Sequence, residues 1–145
     1  MDILAYNDTN FNSCVSLFMK VFNSPPWNDH WIYEKASQRI TDFINHPNFK
    51  GFVVFEDDVL IAASFGYKKT WWNNEEFYIE EMLVDIERQK RNYGTRLIKH
   101  IKMELKKENI NAITLLTRRN VPAKDFYLKN GFYISGNMIF MKAKF

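Results

Sequence analysis

MLVDIERQKRNYGTRLI, residues 82–98, joins an apolar strand to an amphipathic helix through a basic loop, and the fold turns on how that loop is read. The first amides of a helix starting near Tyr93 have no intrahelical partners, and the helix dipole adds partial positive charge there. Such a terminus binds anions, phosphate among them. Arg88, Lys90, Arg91 and Arg96 add formal charge around it. Converging amides require left-handed backbone at some loop positions. Gly94 supplies it freely, and Asn92 stands where another glycine would serve, asparagine being among the better substitutes. Taken alone, one glycine in a basic loop also fits an ordinary basic helix start, so the flanking chain has to decide.

Upstream, ILAY (3–6) reads as a short strand, and Asp8 or Thr9 can cap a helix reaching Phe22, with Phe11, Val15, Phe18 and Phe22 at helical spacing. The prolines of SPPW (24–27) break it. A second helix is expected from Asp29 to Asn45, with Trp31, Ala36, Ile40, Phe43 and Ile44 as its apolar side, ended by His46-Pro47. GFVVFEDDVLIAASFGY (51–67) is two strands around an acidic turn, and Phe77–Val84 is another strand. The helix from Tyr93 to Glu108 carries Leu97, Ile98, Ile101 and Leu105 on one stripe. AITLLT (112–117) is almost all apolar, which predicts a strand buried on both faces. Pro122 opens a short helix and Gly131 closes it. FYIS and NMIFMKAKF supply a last hairpin. The order βααβββαβαββ predicts an α/β fold, a mixed twisted sheet flanked by helices, in one domain spanning 1–145.

Composition narrows the function. Apolar residues make up 46% and aromatic ones 17%, enough for a core plus an aromatic-lined site. No apolar run approaches the roughly 18 residues of a membrane span, and MDILAYNDTN lacks a signal-peptide pattern. The single Cys14 excludes an internal disulfide and fits a reducing cytoplasm, the expected location. Three scattered histidines offer no metal-ligand spacing, so no metal is expected. Net charge of +3 is too mild to argue for nucleic acid. Its distribution is uneven: residues 56–87 carry nine acids against Lys68 and Lys69, a local net of −7. Residues 88–108 carry eight bases against Glu104 and Glu108, a local net of +6. Adjacent blocks of opposite sign suit a cationic substrate beside an anionic cosubstrate, and equally suit two solvated faces.

Two motifs settle the loop. MLVDIERQKRNYGTRLI resembles motif A of the GNAT superfamily of acetyl-CoA-dependent N-acetyltransferases: a strand, then Gln/Arg-x-x-Gly-x-Gly/Ala, then a helix. Gln89, Lys90, Arg91, Asn92, Tyr93 and Gly94 fill its positions, with Asn92 departing at the first glycine. NVPAKDFYLKNGF (120–132) is similar to motif B, Asn-x-x-Ala-x-x-Phe-Tyr-x-x-x-Gly-Phe, and Asn120, Ala123, Phe126, Tyr127, Gly131 and Phe132 all match. VFNSPPWNDHW (21–31) resembles the acceptor-side helix pair of bacterial small-molecule acetyltransferases, so the likeness covers nearly the whole chain. The resemblance implies that the pantetheine arm of acetyl-CoA pairs with the backbone of Met82, Leu83 and Val84. It also implies that the pyrophosphate sits on the amides from Gln89 to Thr95, with Asn120, Ala123 and Tyr127 contributing from the next helix. A strand edge with free backbone groups is a ready template for an extended amide.

Acetyl transfer to an amine needs a neutral nucleophile, and an alkylamine of pKa about 10.4 arrives as ammonium. A carboxylate can hold that cation and take its proton. FYIEEMLV offers Glu80 and Glu81, and polyamine acetyltransferases carry a similar acidic pair on this strand. Alternation places Glu80 with Met82 and Val84 and Glu81 with Leu83, unless a bulge intervenes. Glu81 is the favoured base and Glu80 the alternate. The motif-B position of Tyr127 implies the acid for the leaving thiolate, and the Leu83 N–H is a candidate oxyanion donor. Trp27, Trp31, Trp71, Trp72, Tyr67 and Tyr78 are candidates to line a cation-attracting acceptor pocket, beside Asp29, Glu75 and Glu76. The expected partner is a small-molecule amine, polyamine- or aminoglycoside-like. Peptide amines, a non-catalytic acetyl-CoA-binding module and a nucleic-acid binder are the alternatives. NMIFMKAKF suits its own sheet or pairing across a homodimer equally.

Overall fold

Asn7, rather than Asp8 or Thr9, starts the first helical stretch in this computed structural model, which describes residues 1–145. Its side-chain oxygen accepts from the Thr9 amide (2.8 Å), while its own N–H donates to the Asn10 side chain (3.0 Å). This box caps a 3₁₀ turn that feeds α1 (Phe11–Phe22), whose Cys14, Val15, Leu17, Phe18, Val21 and Phe22 are buried. Helix α2 (Tyr33–Ile44) begins later than its apolar spacing suggested. Asn23 explains the delay: its side chain accepts from the Trp31 N–H (2.7 Å) and donates to the Trp31 carbonyl (3.0 Å), satisfying an irregular link. Trp31 therefore lies before the helix, edge-on to Phe18 at 4.9 Å.

The sheet runs β1 (Asp2–Ala5), β2 (Phe49–Glu56), β3 (Val59–Thr70), β4 (Glu75–Val84) and β5 (Ala112–Leu115), in that spatial order. The first four strands are antiparallel in succession and β5 joins β4 in parallel. Asp57 and Asp58, both at positive φ, make the tight turn between β2 and β3. Helices α1 and α2 cover one face over Val53, Ala63, Phe65 and Leu83. Helix α3 (Tyr93–Lys106) covers the other, laying Leu97, Ile98, Ile101 and Leu105 on Val54, Ile61, Phe77 and Ile79. Each such side chain, fully buried, contributes about 1.5–3 kcal/mol. Helix α4 (Pro122–Lys129) follows β5 and ends at Gly131, at φ 88°. No helix is long and apolar enough to cross a membrane.

Two expectations need correction. β5 is not buried on both faces: it is the edge strand, its residues are half-buried, and Leu116 beyond it is 64% exposed. The final hairpin does not form. Residues 133–145 take no strand, because a strand needs a ladder partner and the sheet of this chain ends at β5.

Candidate active site

One extra residue in β4 decides where its carboxylates go. The β3–β4 register pairs Gly66 with Ile79 and Phe65 with Glu81, leaving Glu80 as the bulged residue. Gly66 makes room for the bulge, since a Cβ there would lie 2.3 Å from the Tyr78 carbonyl oxygen. Before the bulge, Phe77 and Ile79 face α3; after it, Met82 and Val84 do, while Leu83 faces α1 and α2. Glu81 shares the side of Leu83, as alternation requires. Glu80 does not share the side of Met82 and Val84. Arg39 of α2 reaches both acids, 3.7 Å from Glu80 and 3.6 Å from Glu81, so the two carboxylates stand on one face.

Burial raises the Glu81 pKa to about 7; Arg39 pulls it down, and Glu80 and Asp29 push it up. A carboxyl with that value is half ionised at neutral pH, which is where a general base works best. Tyr127 is also recessed. Burial lifts its phenol well above the usual range, and the charge of Glu81 adds to the effect. Phe126 and Phe132 flank its ring at 5.2 and 5.1 Å. At neutral pH the site therefore holds a half-ionised acid and a protonated phenol that sense each other.

Beside them β4 opens. β5 pairs with β4 only from Glu76 to Ile79, so β4 has no neighbour on that side from Glu80 onward. The Asp85 N–H donates to the Ile61 carbonyl (2.7 Å), which makes Asp85–Ile61 and Leu83–Ala63 the hydrogen-bonded pairs of the β3–β4 ladder. Met82 and Val84 accordingly turn their backbone groups to the open edge. The Leu83 N–H is spent on β3, which removes it as the oxyanion donor. The Val84 carbonyl accepts from Gln89 Nε2 at 3.0 Å, a contact no sequence pattern announced.

The loop after β4 takes the form an anion site needs. Asn92 is left-handed (φ 66°) directly before α3, and Lys90 is too (φ 64°). The Asn92 carbonyl accepts the first helical bond, from the Arg96 amide (3.0 Å), so the Tyr93, Gly94 and Thr95 amides precede the helical ladder. Gly94 serves otherwise than expected. It is helical, and it is glycine because a Cβ would sit 2.8 Å from the Phe126 ring. Arg88 is not available to an anion, being paired to Glu56 (3.3 Å) and Asp85 (3.4 Å). Tyr93 donates its hydroxyl to Glu56. Lys90, Arg91 and Arg96 remain exposed. Asn120 and Ala123 lie where β5 gives way to α4, Asn120 exposed and Ala123 half-buried.

The expected aromatic pocket assembles only in part: Tyr67 lines the cleft beside the acids, tilted against Tyr78 at 5.6 Å. Trp71 and Trp72 sit at the β3–β4 hairpin tip, Trp72 94% exposed. That tip is roughly 20 Å along the strand from Glu81. Trp27 packs on Phe22 and carries Arg118 over its ring at 5.8 Å. The Trp31 indole donates to Asp29 (3.0 Å). Lys69 already covers Tyr78 at 4.3 Å. The cleft next to the acids is lined by Arg39, Asp42, Phe43, His46, Gly66, Tyr67 and Glu80, with His46 stacked on Tyr67 at 3.9 Å. Arg39, Asp42 and His46 escaped the sequence reading. The signal was their spacing on α2 and just beyond, beside the buried Ala36–Ile40–Phe43 stripe.

A family model described as "Acetyltransferase (GNAT) family" matches residues 11–132. No curated protein matches the sequence. Among solved structures, the chain is similar to an aminoglycoside acetyltransferase, meta-AAC0020, from an uncultured soil metagenomic sample in complex with sisomicin. The TM-score is 0.77 at 15% identity, covering 99% of this chain and 95% of that one. It is also similar to the aminoglycoside antibiotic 6'-N-acetyltransferase AAC(6')-IG from Acinetobacter haemolyticus (TM-score 0.78, 14% identity, 100% and 99% covered). A third, AAC(6')-Iy in complex with a bisubstrate analog, CoA-S-monomethyl-acetylneamine, gives TM-score 0.76 at 15% identity, with 99% and 97% covered.

Proposed function

Because this chain belongs to the acetyltransferase (GNAT) family, we propose that it moves the acetyl group of acetyl-CoA directly onto a primary amine of a small cationic molecule, polyamine- or aminoglycoside-like. One observation carries the reading: the β4 bulge sets Glu80 and Glu81 on one face, with Glu81 tuned to about 7. The residues fit the cosubstrate. The open edge at Met82 and Val84 suits its amide arm, and the left-handed Asn92 leaves the first α3 amides for its pyrophosphate. Bound there, acetyl-CoA supplies an activated thioester.

Glu81 takes a proton from the arriving ammonium, and Glu80 holds the cation while this happens. The Met82 N–H, directed at the open edge next to Glu81, donates to the thioester oxygen. Tyr127 keeps its proton at neutral pH and donates to the departing sulfur. Since the phenol is a weaker acid than a thiol of pKa about 8.5, its part is a hydrogen bond that steadies the thiolate until it takes the second proton, the one the nitrogen loses on acylation. Substrate cations are expected at Glu80 and Glu81 rather than on the tryptophans. Two of the similar structures are aminoglycoside acetyltransferases, which agrees with a cationic acceptor.

Arg39 favours a second reading. It offsets one of the two negative charges, which suits an acceptor carrying an anionic group beside its amine, such as an amino acid or peptide. Asn92, the departure from motif A that would suit a non-catalytic module, is left-handed as a working loop would need, which supports the catalytic reading. Thiol release from acetyl-CoA, followed over polyamines, aminoglycosides, amino acids and peptides, separates these. Turnover is expected with at least one polycation and is expected to fall about 10²–10⁴-fold in Glu81→Gln. Acetyl-CoA binding without thiol release on any amine would leave only the binding module.

A further inference from the structure

Asp85, directly after β4, is a carboxylate that the proposed transfer leaves without a role, yet it is only 5% exposed. Its Oδ1 accepts from the Glu87 amide (3.1 Å), and Lys20 Nζ lies 2.9 Å from Oδ1 and 3.1 Å from Oδ2. Arg88 Nη1 reaches Oδ2 at 3.4 Å. Burial works against the charge, but the hydrogen bonds from Lys20 and the Glu87 amide outweigh it and hold the pKa below the usual carboxylate range. A buried charge persists only when it is paired in this way.

The partners carry the network outward. Lys20, in the last turn of α1, continues to Glu87 (2.9 Å). Arg88 continues to Glu56 at the end of β2 (3.3 Å), and Glu56 accepts from the Tyr93 hydroxyl at the start of α3. Residues 86–92 are therefore gripped at both ends by polar contacts. Packing does not hold them: none of them is buried, and beyond the 3₁₀ turn Ile86–Arg88 they form no helix or strand. Within this stretch Lys90 and Asn92 nevertheless keep left-handed backbone. A segment with no buried side chains is ordered only as far as its polar contacts order it.

We propose that Asp85 is a positioning residue. Through Lys20 and Arg88 it fixes residues 86–92 so that the first α3 amides converge on the pyrophosphate before acetyl-CoA arrives. The proposal rests on the acetyl-CoA reading of this loop. A loop ordered in advance loses less freedom on binding, and the difference appears as affinity. The cosubstrate's amide arm, on the open β4 edge at Met82 and Val84, lies outside this effect.

NMR titration to millimolar ligand tests it, using acetyl-CoA and S-acetylpantetheine, which keeps the arm and thioester but lacks the pyrophosphate. Asp85→Asn is expected to weaken acetyl-CoA about tenfold, the effect of leaving one loop residue unfixed, and to leave S-acetylpantetheine within about twofold. Lys20→Met removes a side chain that is 40% exposed, and is expected to give the same split should Asp85→Asn fail to fold. A loss shared equally by both ligands would make Asp85 an ordinary structural residue and overturn the proposal. So would wild-type acetyl-CoA affinity in the folded variants. A wild-type chain that binds neither ligand would sink the acetyl-CoA reading itself, and the proposal with it.

Discussion

Arg39 holds its guanidinium about equally far from Glu80 and Glu81, at 3.7 and 3.6 Å, and on the proposed reading this tunes the base. Burial favours a neutral Glu81, Glu80 and Asp29 reinforce that, and Arg39 opposes all three. The acid limb of kcat/KM should therefore titrate near pH 7 and vanish in Glu81→Gln. Arg39→Met should move that limb upward by about one unit, and a limb left in place would dissociate Arg39 from the base. Stability follows with its own sign. A carboxyl raised by folding contributes fully below its unfolded value of about 4.3, and the contribution is lost as pH rises to about 7. Glu81→Gln should thus stabilise the fold by about 1–3 kcal/mol at pH 8 and by nothing measurable at pH 4. Thermal melts at the two pH values check this; equal shifts at both would contradict it. Glu80 and Glu81 were visible as a pair in the sequence. Their common face was not, because one inserted residue reverses every side chain beyond it, and only the close contact at Gly66 betrays the insertion.

Among the elements, the join between β4 and α3 carries most of the cosubstrate reading. Asn92 occupies the left-handed region at modest cost, where a β-branched residue is disfavoured by about 1–2 kcal/mol. Asn92→Gly should leave acetyl-CoA affinity equal or better, while Asn92→Val should weaken it about tenfold, a loss calorimetry resolves easily. Wild-type affinity in the valine variant would remove the loop from the site. Gly94 belongs to a different argument: its missing Cβ lets α3 approach Phe126, and with it the neighbouring Tyr127. The sequence marked both positions for left-handed backbone, which holds for Asn92 but not for Gly94, since backbone conformation and interhelical space both call for small or permissive residues. The elements α1, β2, β3 and α4 were legible from periodicity and punctuation. The hairpin expected after Phe132 was legible as a pattern only. Its ladder partner is a property of tertiary or quaternary assembly, which local sequence does not encode.

Across the molecule, folding pairs most of the acidic block but little of the basic one, where only Arg88 and Lys107 meet carboxylates. Lys20 bridges Asp85 and Glu87 at 2.9 Å each, Arg88 ties Glu56 to Asp85, Lys68 meets Glu75, and Lys50 meets Glu108. The acidic half of the asymmetry is thus mostly taken up by pairing between neighbouring elements, while the basic half stays largely unpaired. The proposed site draws on two groups of charge, the Glu80–Glu81 pair and the exposed Lys90, Arg91 and Arg96 around the α3 terminus. Exposed cations contribute about 0.3–1 kcal/mol apiece at low salt and are screened within ~8 Å at physiological ionic strength. Acetyl-CoA affinity should then fall roughly tenfold from low to high salt, in line with three such contacts. The triple variant Lys90→Ala, Arg91→Ala, Arg96→Ala should show the weaker affinity at low salt and little further change on adding salt. The comparison isolates the source of binding energy. A wild-type affinity indifferent to salt would assign the anion's hold to the fixed α3 amides alone, with the exposed cations as bystanders. A triple variant as salt-sensitive as wild type would place the responsible charge elsewhere on the surface.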